Sequence, residues 1–290
     1  QLLNSRGLQA SYEGTTVACD ALAVAEGEGG AETGWSYQGA RRYADLKPRQ
    51  VGEEAAQKAV ALLGAGTIPT RRLPVLLDPF VAAEFLQVLG PGLTADAVQK
   101  GKSLFRGRVG ETVASPLVQL VDHGRLENGL ASAPVDDEGV PTRETVLIAD
   151  GVLRGYLYNT YTAARDGVAS TGNGVRNSFR GTPEVRPSNF YLRPGAISRQ
   201  RLWAESGEAL YLTAVLGMHT ANPISGDFSL GAAGLLLRDG QVVRPVRGVT
   251  VAGNLLALLQ GIDGLADDLR FLGGYGAPTV RVQGLTVSGD

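Results

Sequence analysis

GLLLRDGQVVRPV, residues 234–246, sets Asp239-Gly240 between two runs of β-prone residues. Asp-Gly suits a type I′ turn, whose backbone twist matches that of antiparallel strands. TVLIADGVLRGYLY, residues 145–158, repeats the arrangement around Asp150-Gly151. Two such hairpins, with further strand-like runs at ALYLTAVLG (209–217) and PTVRVQGLTVSG (278–289), predict a largely antiparallel sheet.

Helices are sparse by comparison. Residues 8–47 alternate polar and small apolar residues with frequent Gly, as short antiparallel strands do. GEEAAQKAVALLGAG (52–66) then reads as a helix with Ala56, Val60 and Leu63 on its apolar face and Gly64 closing it. LPVLLDPFVAAEFLQVLG (73–90) reads as a buried strand feeding directly into a helix. Asp78 is a good N-cap there, and Pro79 suits the first helical position because it has no N–H to leave unpaired. Val81, Phe85, Val88 and Leu89 make one apolar face, and Gly90 stops the helix. A further helical spacing runs through TVAGNLLALLQGIDGLADDL (250–269). The connector TIPTRRLP (67–74) is the expected boundary. The fold class is therefore α+β in two domains: residues 1–70, the remaining part of an N-terminal α+β domain, and residues 71–290, a β-rich C-terminal domain.

Composition narrows the function classes. With 290 residues, 43% hydrophobic and 19% charged, the chain is a folded protein with a sizeable core. A net charge of −2 gives no global pull toward nucleic acid or an anionic membrane. No apolar run approaches the roughly 20 residues that span a bilayer. Cys19 stands alone, which excludes an intrachain disulfide and favours a reducing, cytoplasmic home. The opening QLLNSRGLQASYEG has neither an initiator Met nor a leader, and points to an N-terminus further upstream.

Zinc peptidases use helical His pairs, because the metal takes neutral imidazoles beside a carboxylate base. His123 and His219 have no such partner nearby in sequence and read as turn or surface residues, although distant ligands including Cys19 could converge in space. ISGDFSLG places Ser225 and Ser229 around Asp227, without the strained G-x-S-x-G turn of a serine nucleophile. VDDEG (135–139) could offer alternating carboxylates to a hard cation, but an exposed turn explains them more simply.

TAARDGVASTGNGVRNSFRG, residues 162–181, is more than an ordinary turn needs: four Gly, two Asn and three Arg. It opens a polarised region, residues 165–201, in which seven Arg face only Asp166 and Glu184, with aromatic residues interleaved. Such a mixture could bind a phosphate backbone, grip a peptide carboxylate, meet another subunit, or be a solvated face neutralised from elsewhere.

These stretches together resemble the TldD/PmbA (TldE) family, once called modulators of DNA gyrase. The resemblance is densest over residues 129–174, STGN included, and continues through PSNFYLRPG (187–195), GEALYLTAVLG (207–217), residues 225–256 and GAPTVRVQGLTVSG (276–289). It implies a two-domain α+β protein working in pairs, often as a TldD–TldE heterodimer that acts as a cytoplasmic metallopeptidase on unfolded or modified peptides. In the TldD-type subunit a strand-to-helix junction carries His-Glu-x-x-x-His, and a later Cys completes the zinc site. Here Asp78, Pro79 and Ala83 stand at those positions, and no Cys follows residue 19. The resemblance thus implies a TldE/PmbA-type chain with no catalytic residue, no metal and no cofactor of its own. Its zinc is expected in a TldD-type catalytic partner, with a homodimer as the other pairing. Asn173, Arg176, Arg180 and Asp227 are the expected peptide-binding or interface residues. An independent hydrolase with a site assembled from distant residues, and a regulator binding DNA gyrase or nucleic acid, are the alternatives.

Overall fold

A computed structural model describes residues 1–289. The N-terminal strands are longer than predicted: β1 (Val17–Gly27) and β2 (Gly30–Ala40) form one hairpin of eleven-residue strands. Helix α1 (Pro48–Ala61) packs on it, entered through Pro48 in its first turn.

The apolar face of α1 is not the predicted one. Val51, Ala55, Ala59 and the following Leu62 are buried, whereas Ala56 is exposed and Val60 is 59% exposed. Backbone proximity explains the shift. At Gly34 a Cβ would collide with the carbonyl of Ala55 and the amide of Ala59, so β2 and α1 touch through their main chains. Only small residues fit such a contact, and the larger Val60 turns outward.

Strand β3 (Arg71–Leu77) then runs straight into α2 (Pro79–Leu89), followed by the short α3 (Ala95–Gln99). Next come β4 (Leu120–His123), β5 (Glu144–Ala149), α4 (Thr160–Asp166), β6 (Phe190–Leu192) and α5 (Arg199–Ala204). A meander of β7 (Glu208–Leu216), β8 (Asp227–Arg238) and β9 (Gln241–Asn254) leads to α6 (Leu255–Gln260). Strands β10 (Ile262–Leu265), β11 (Arg270–Leu272), β12 (Tyr275–Ala277) and β13 (Val280–Ser288) follow.

Two sheets result. Strands β9, β8, β7, β3 and β13 lie side by side, and β13 also pairs with β9, so this sheet closes on itself while β10 adds along the start of β13. The other runs β11, β12, β6, β4, β5 and ends on the short strand Val152–Leu153. Pairing is antiparallel except between β3 and β7 and between β6 and β12, so the predicted α+β, largely antiparallel class holds. Both Asp-Gly hairpins have the expected geometry, with φ of 51° and 77° at Asp150 and Gly151 and of 50° and 80° at Asp239 and Gly240.

The core lies where α2 meets the two sheets. Phe80, Val81, Ala82, Ala83, Phe85, Leu86 and Leu89 are all buried, while Val88 is only partly so. A helix apolar on nearly every side must be covered all round. Phe85 meets Phe228 of β8 edge-on at 5.1 Å. The predicted long helix over residues 250–269 shrinks to six residues. Val249 and Val251 alternate inward in β9, and Thr250 to Ala252 are paired on both sides, so strand partners override the helical spacing until Asn254 caps α6 through the Leu256 amide.

Replacing Gly34 with Ala drives α1 off the β2 backbone. The expected loss is about 1–3 kcal/mol, read from urea unfolding midpoints, and it should be larger than for Gly52→Ala, where nothing stands within 4 Å of the added carbon.

Candidate functional site

The β3–α2 junction is closed chemistry. Asp78 is 2% exposed, and its Oδ1 accepts the Phe80 amide at 3.0 Å. Its Oδ2 accepts the Tyr211 hydroxyl at 2.7 Å and lies 3.3 Å from the Lys58 ammonium. Burial, with Asp78 adding to it, pushes the Tyr211 phenol well above its ordinary range, so it stays a donor. Pro79 carries no donor atom beyond its carbonyl, and Ala83 is a fully buried methyl.

Lys58 arrives from α1 and makes the junction a meeting point of the two parts of the chain. Its ammonium stands 5.1 Å from the Phe80 ring, over which the Arg270 guanidinium also lies at 4.3 Å. Arg270 is paired with Glu54 of α1, whose other oxygen accepts Ser36 of β2 at 2.9 Å. Burial works to raise the Glu54 pKa, but Arg270, Ser36 and Lys58 outweigh it and hold the carboxyl below its ordinary value. Trp35 packs on Phe80 at 5.4 Å. Farther along α2, Glu84 is half-buried with no cation paired to it, and burial plus the nearby Asp78 raise its pKa to about 7.

Two clefts flank Lys58. One, about 480 Å³, is lined by Asp78, Tyr211, Trp203, Arg199 and the Gln50, Glu53, Gln57 side of α1. The other, about 240 Å³, is lined by Gly34, Trp35, Phe80, Glu84 and Thr213 to Val215. Lys58, Leu62 and Thr213 border both. Strand β7 pairs with β3 only through Leu210, Tyr211 and Leu212, and its register slips at Thr213. From Ala214 to Leu216 it pairs with β8 alone, leaving the opposite edge toward the smaller cleft. A larger groove, about 1030 Å³, lies between α3, α4 and residues 182–187. Lys100 pairs with Asp96 at 2.9 Å and Arg186 with Glu184 at 2.8 Å, while Glu138 accepts the amide and hydroxyl of Thr160, so the charged groups of the groove are already engaged.

The Gly-rich loop has an inner and an outer half. Asn173 is 3% exposed and turned inward: its amide donates to Asp122 at 2.7 Å and to the Arg186 carbonyl at 3.0 Å, and its carbonyl accepts Thr171 at 2.6 Å. Asp122, on β4, also accepts the amide and hydroxyl of Ser188. Gly172, at φ 79°, sits where a Cβ would press on Pro141. Asp136 of the VDDEG turn accepts the Gly174 amide and Asp137 the Arg176 amide, so that turn clasps the loop. The guanidinium of Arg176 bonds the carbonyls of Asp137 and Gly181. Beyond it, Phe179 is 86% exposed with Arg180 laid over its ring.

The seven arginines form no common patch. Arg193 is paired with Glu144 of β5, Arg201 with Glu205 at the end of its own helix and Arg186 with Glu184 two residues before it, so three of the seven are answered singly by separate carboxylates. Asp227 is exposed at the start of β8 and bonded by Asn254; that bond and Ser225 hold its pKa below the ordinary value. His123 ends β4, half-buried against Glu144 at 3.7 Å rather than in a free turn, and His219 lies in a 3₁₀ turn.

The donor set does not suit a metal. At the junction the one carboxylate is engaged three ways, and the other two positions supply no ligand atom. Among the described residues no three His, Cys, Asp or Glu converge as ligands, and no helix is long and apolar enough to cross a membrane. Sequence reasoning found Asp78, Pro79 and Ala83 but not Lys58, Glu84, Tyr211, Arg270 or Asp122. A lone carboxylate inside an apolar helix was a legible sign for Glu84, and a lone Asp in an apolar strand for Asp122. The others act through partners far away in the chain.

Comparison with known proteins places these features. Residues 70–289 match the PmbA/TldA metallopeptidase C-terminal domain, and residues 1–63 match the PmbA/TldA metallopeptidase central domain. A metalloprotease of Methanothermobacter thermautotrophicus is 32% identical over 305 residues, covering 99% of this chain and 66% of that protein. The structure of a proposed modulator of a DNA gyrase from Thermotoga maritima is 37% identical, with a TM-score of 0.88 over 93% of this chain and 62% of that one. TldE from Thermococcus kodakarensis gives a TM-score of 0.92 at 26% identity, over 99% of this chain and 66% of that one. The chain thus spans somewhat less than two thirds of these relatives' lengths.

Glu84 generates a pH signature. The folded protein holds its proton more tightly than the unfolded chain does, so its contribution to stability is full below about 4.5 and is lost as pH rises through about 7. Glu84→Gln should flatten the fall in urea midpoint between these values and stabilise the protein above pH 7.5 by on the order of 1–2 kcal/mol, after discounting for partial exposure.

Proposed function

Because the chain belongs to the TldD/PmbA metallopeptidase family, and its strand-to-helix junction is filled rather than open, we propose that it is a non-catalytic, peptide-holding subunit of a two-subunit cytoplasmic peptidase. The observation that carries the reading is Asp78, locked to the Phe80 amide, Tyr211 and Lys58 where a zinc ligand would have to be free. With Pro79 and Ala83 beside it, these three positions offer neither a free metal ligand nor a base for a water. The metal and the hydrolytic step then belong to a TldD-type partner.

What this chain supplies is a surface for extended peptide. The open edge of β7 from Ala214 to Leu216, facing the cleft of about 240 Å³, is suited to main-chain pairing with an added strand. Such pairing is indifferent to side chains, as a processor of unfolded or modified peptides requires. Of the four residues singled out in the sequence, Asn173 serves as an internal brace and Arg176 is largely engaged with its own loop. Arg180 with Phe179 is left outward, and we assign that tip to the second subunit. Pairing of Arg186, Arg193 and Arg201 with separate carboxylates gives no support to a nucleic-acid reading.

Elemental mass spectrometry on protein purified without added metal or chelator should find zinc far below one equivalent, with no cleavage of an unfolded polypeptide by the protein alone. Near-equimolar zinc, or zinc-dependent cleavage, would overturn the reading. A labelled unfolded peptide should still bind, and N-methylation at alternate residues should weaken it roughly tenfold or more by removing the main-chain donors.

A further inference from the structure

The larger cleft beside Asp78 carries one charge that nothing answers. Lys58 and Arg270 are balanced by Asp78 and Glu54, and Glu53 is paired with Arg49 at 2.8 Å on the helix surface. Arg199, in the first turn of α5, has no carboxylate partner among the described residues; its guanidinium lies 5.6 Å from the Trp203 ring. Beneath it the Trp203 indole N–H is closed to solvent and has no acceptor. Trp203 in turn packs on Tyr211 at 4.7 Å, which ties this pair to the junction. At about 480 Å³ the cleft is within the size range of small-ligand sites.

Resting on the peptide-holding reading, we propose that this cleft captures the free α-carboxylate of a bound peptide, with Arg199 as its anchor and Trp203 as the platform beneath. One guanidinium against one carboxylate balances the charge of the cleft. A phosphate would bring nearly two charges past Glu53, Glu54 and Asp78 and is disfavoured. The geometry also sets a direction. The open β7 edge at Ala214 to Leu216 and the Arg199 cleft beside Tyr211 are separated by Lys58 and Thr213, which border both. A chain whose carboxyl end reaches Arg199 from that edge runs antiparallel to β7. Arg199 is here a positioning residue, remote from any reacting bond.

The chain has two tryptophans, so Trp35→Phe leaves Trp203 as the only indole reporter. Acetyl-dialanine as the free acid and as its amide are the probes, followed by Trp203 emission and, in the unaltered protein, by calorimetry. The acid should bind roughly tenfold tighter than the amide, and Arg199→Gln should erase that difference while moving the urea midpoint little, since Arg199 is only partly buried and holds no carboxylate among the described residues. Equal binding of acid and amide overturns the carboxylate site and leaves peptide holding intact. Binding of the acid without binding of a long unfolded polypeptide keeps the site and overturns peptide holding. Displacement of the acid by equimolar inorganic phosphate shows a general anion site and overturns the proposal, as does failure of both probes to bind.

Discussion

One buried carboxylate sets the terms for the rest of the molecule. Asp78 must be satisfied because it sits where β3 becomes α2, almost without access to water. An N-cap there gives the first helical amide its acceptor, and the remaining oxygen recruits Tyr211 from β7 and Lys58 from α1. Three separate parts of the chain are thereby pinned to one point. Removing any of these partners leaves a polar group buried without an answer, which costs more than the bond itself contributes.

The same arrangement closes the junction from within. The junction is the place where parallel β3 and β7 end and a helix begins, and such strand ends are where folds of this kind place ligands. Here the space is occupied from within, by a lysine and its carboxylate. What stays open lies on either side: a strand edge on one, a polar cleft on the other. The centre is filled, and the open surfaces lie around it.

Much of this was legible in the sequence wherever the cause is local. Asp239-Gly240 and Asp150-Gly151 specify their turns through two backbone angles each, and Asp78-Pro79 specifies a helix start through a cap and a missing N–H. The α1 face was misread because its packing partner is a glycine backbone, so the pattern that matters is absence of bulk rather than presence of apolar residues. The helical spacing at 250–254 gives way to strand because β8 pairs along all of it and β13 along 250–252, partners invisible to a window of twenty residues. Likewise Arg270 meets Glu54 across 216 residues of chain, and no spacing rule connects them. Within the arginine-rich run, the pairing of Arg193 with Glu144 of β5 was equally hidden, because 49 residues separate them.

Closure of the larger sheet has a consequence for how the chain acquires its structure. Strand β13 lies between β3 and β9, and Arg72 of β3 reaches the Gly284 carbonyl across 212 residues. No earlier strand can stand in for it. A ribosome releasing this protein therefore holds an open sheet with bare edges on β3 and β9 until β13 emerges, and contacts of such long range form slowly. During that interval the nascent chain presents pairing surface to any extended polypeptide nearby, so demand for chaperones should fall once β13 has emerged and paired.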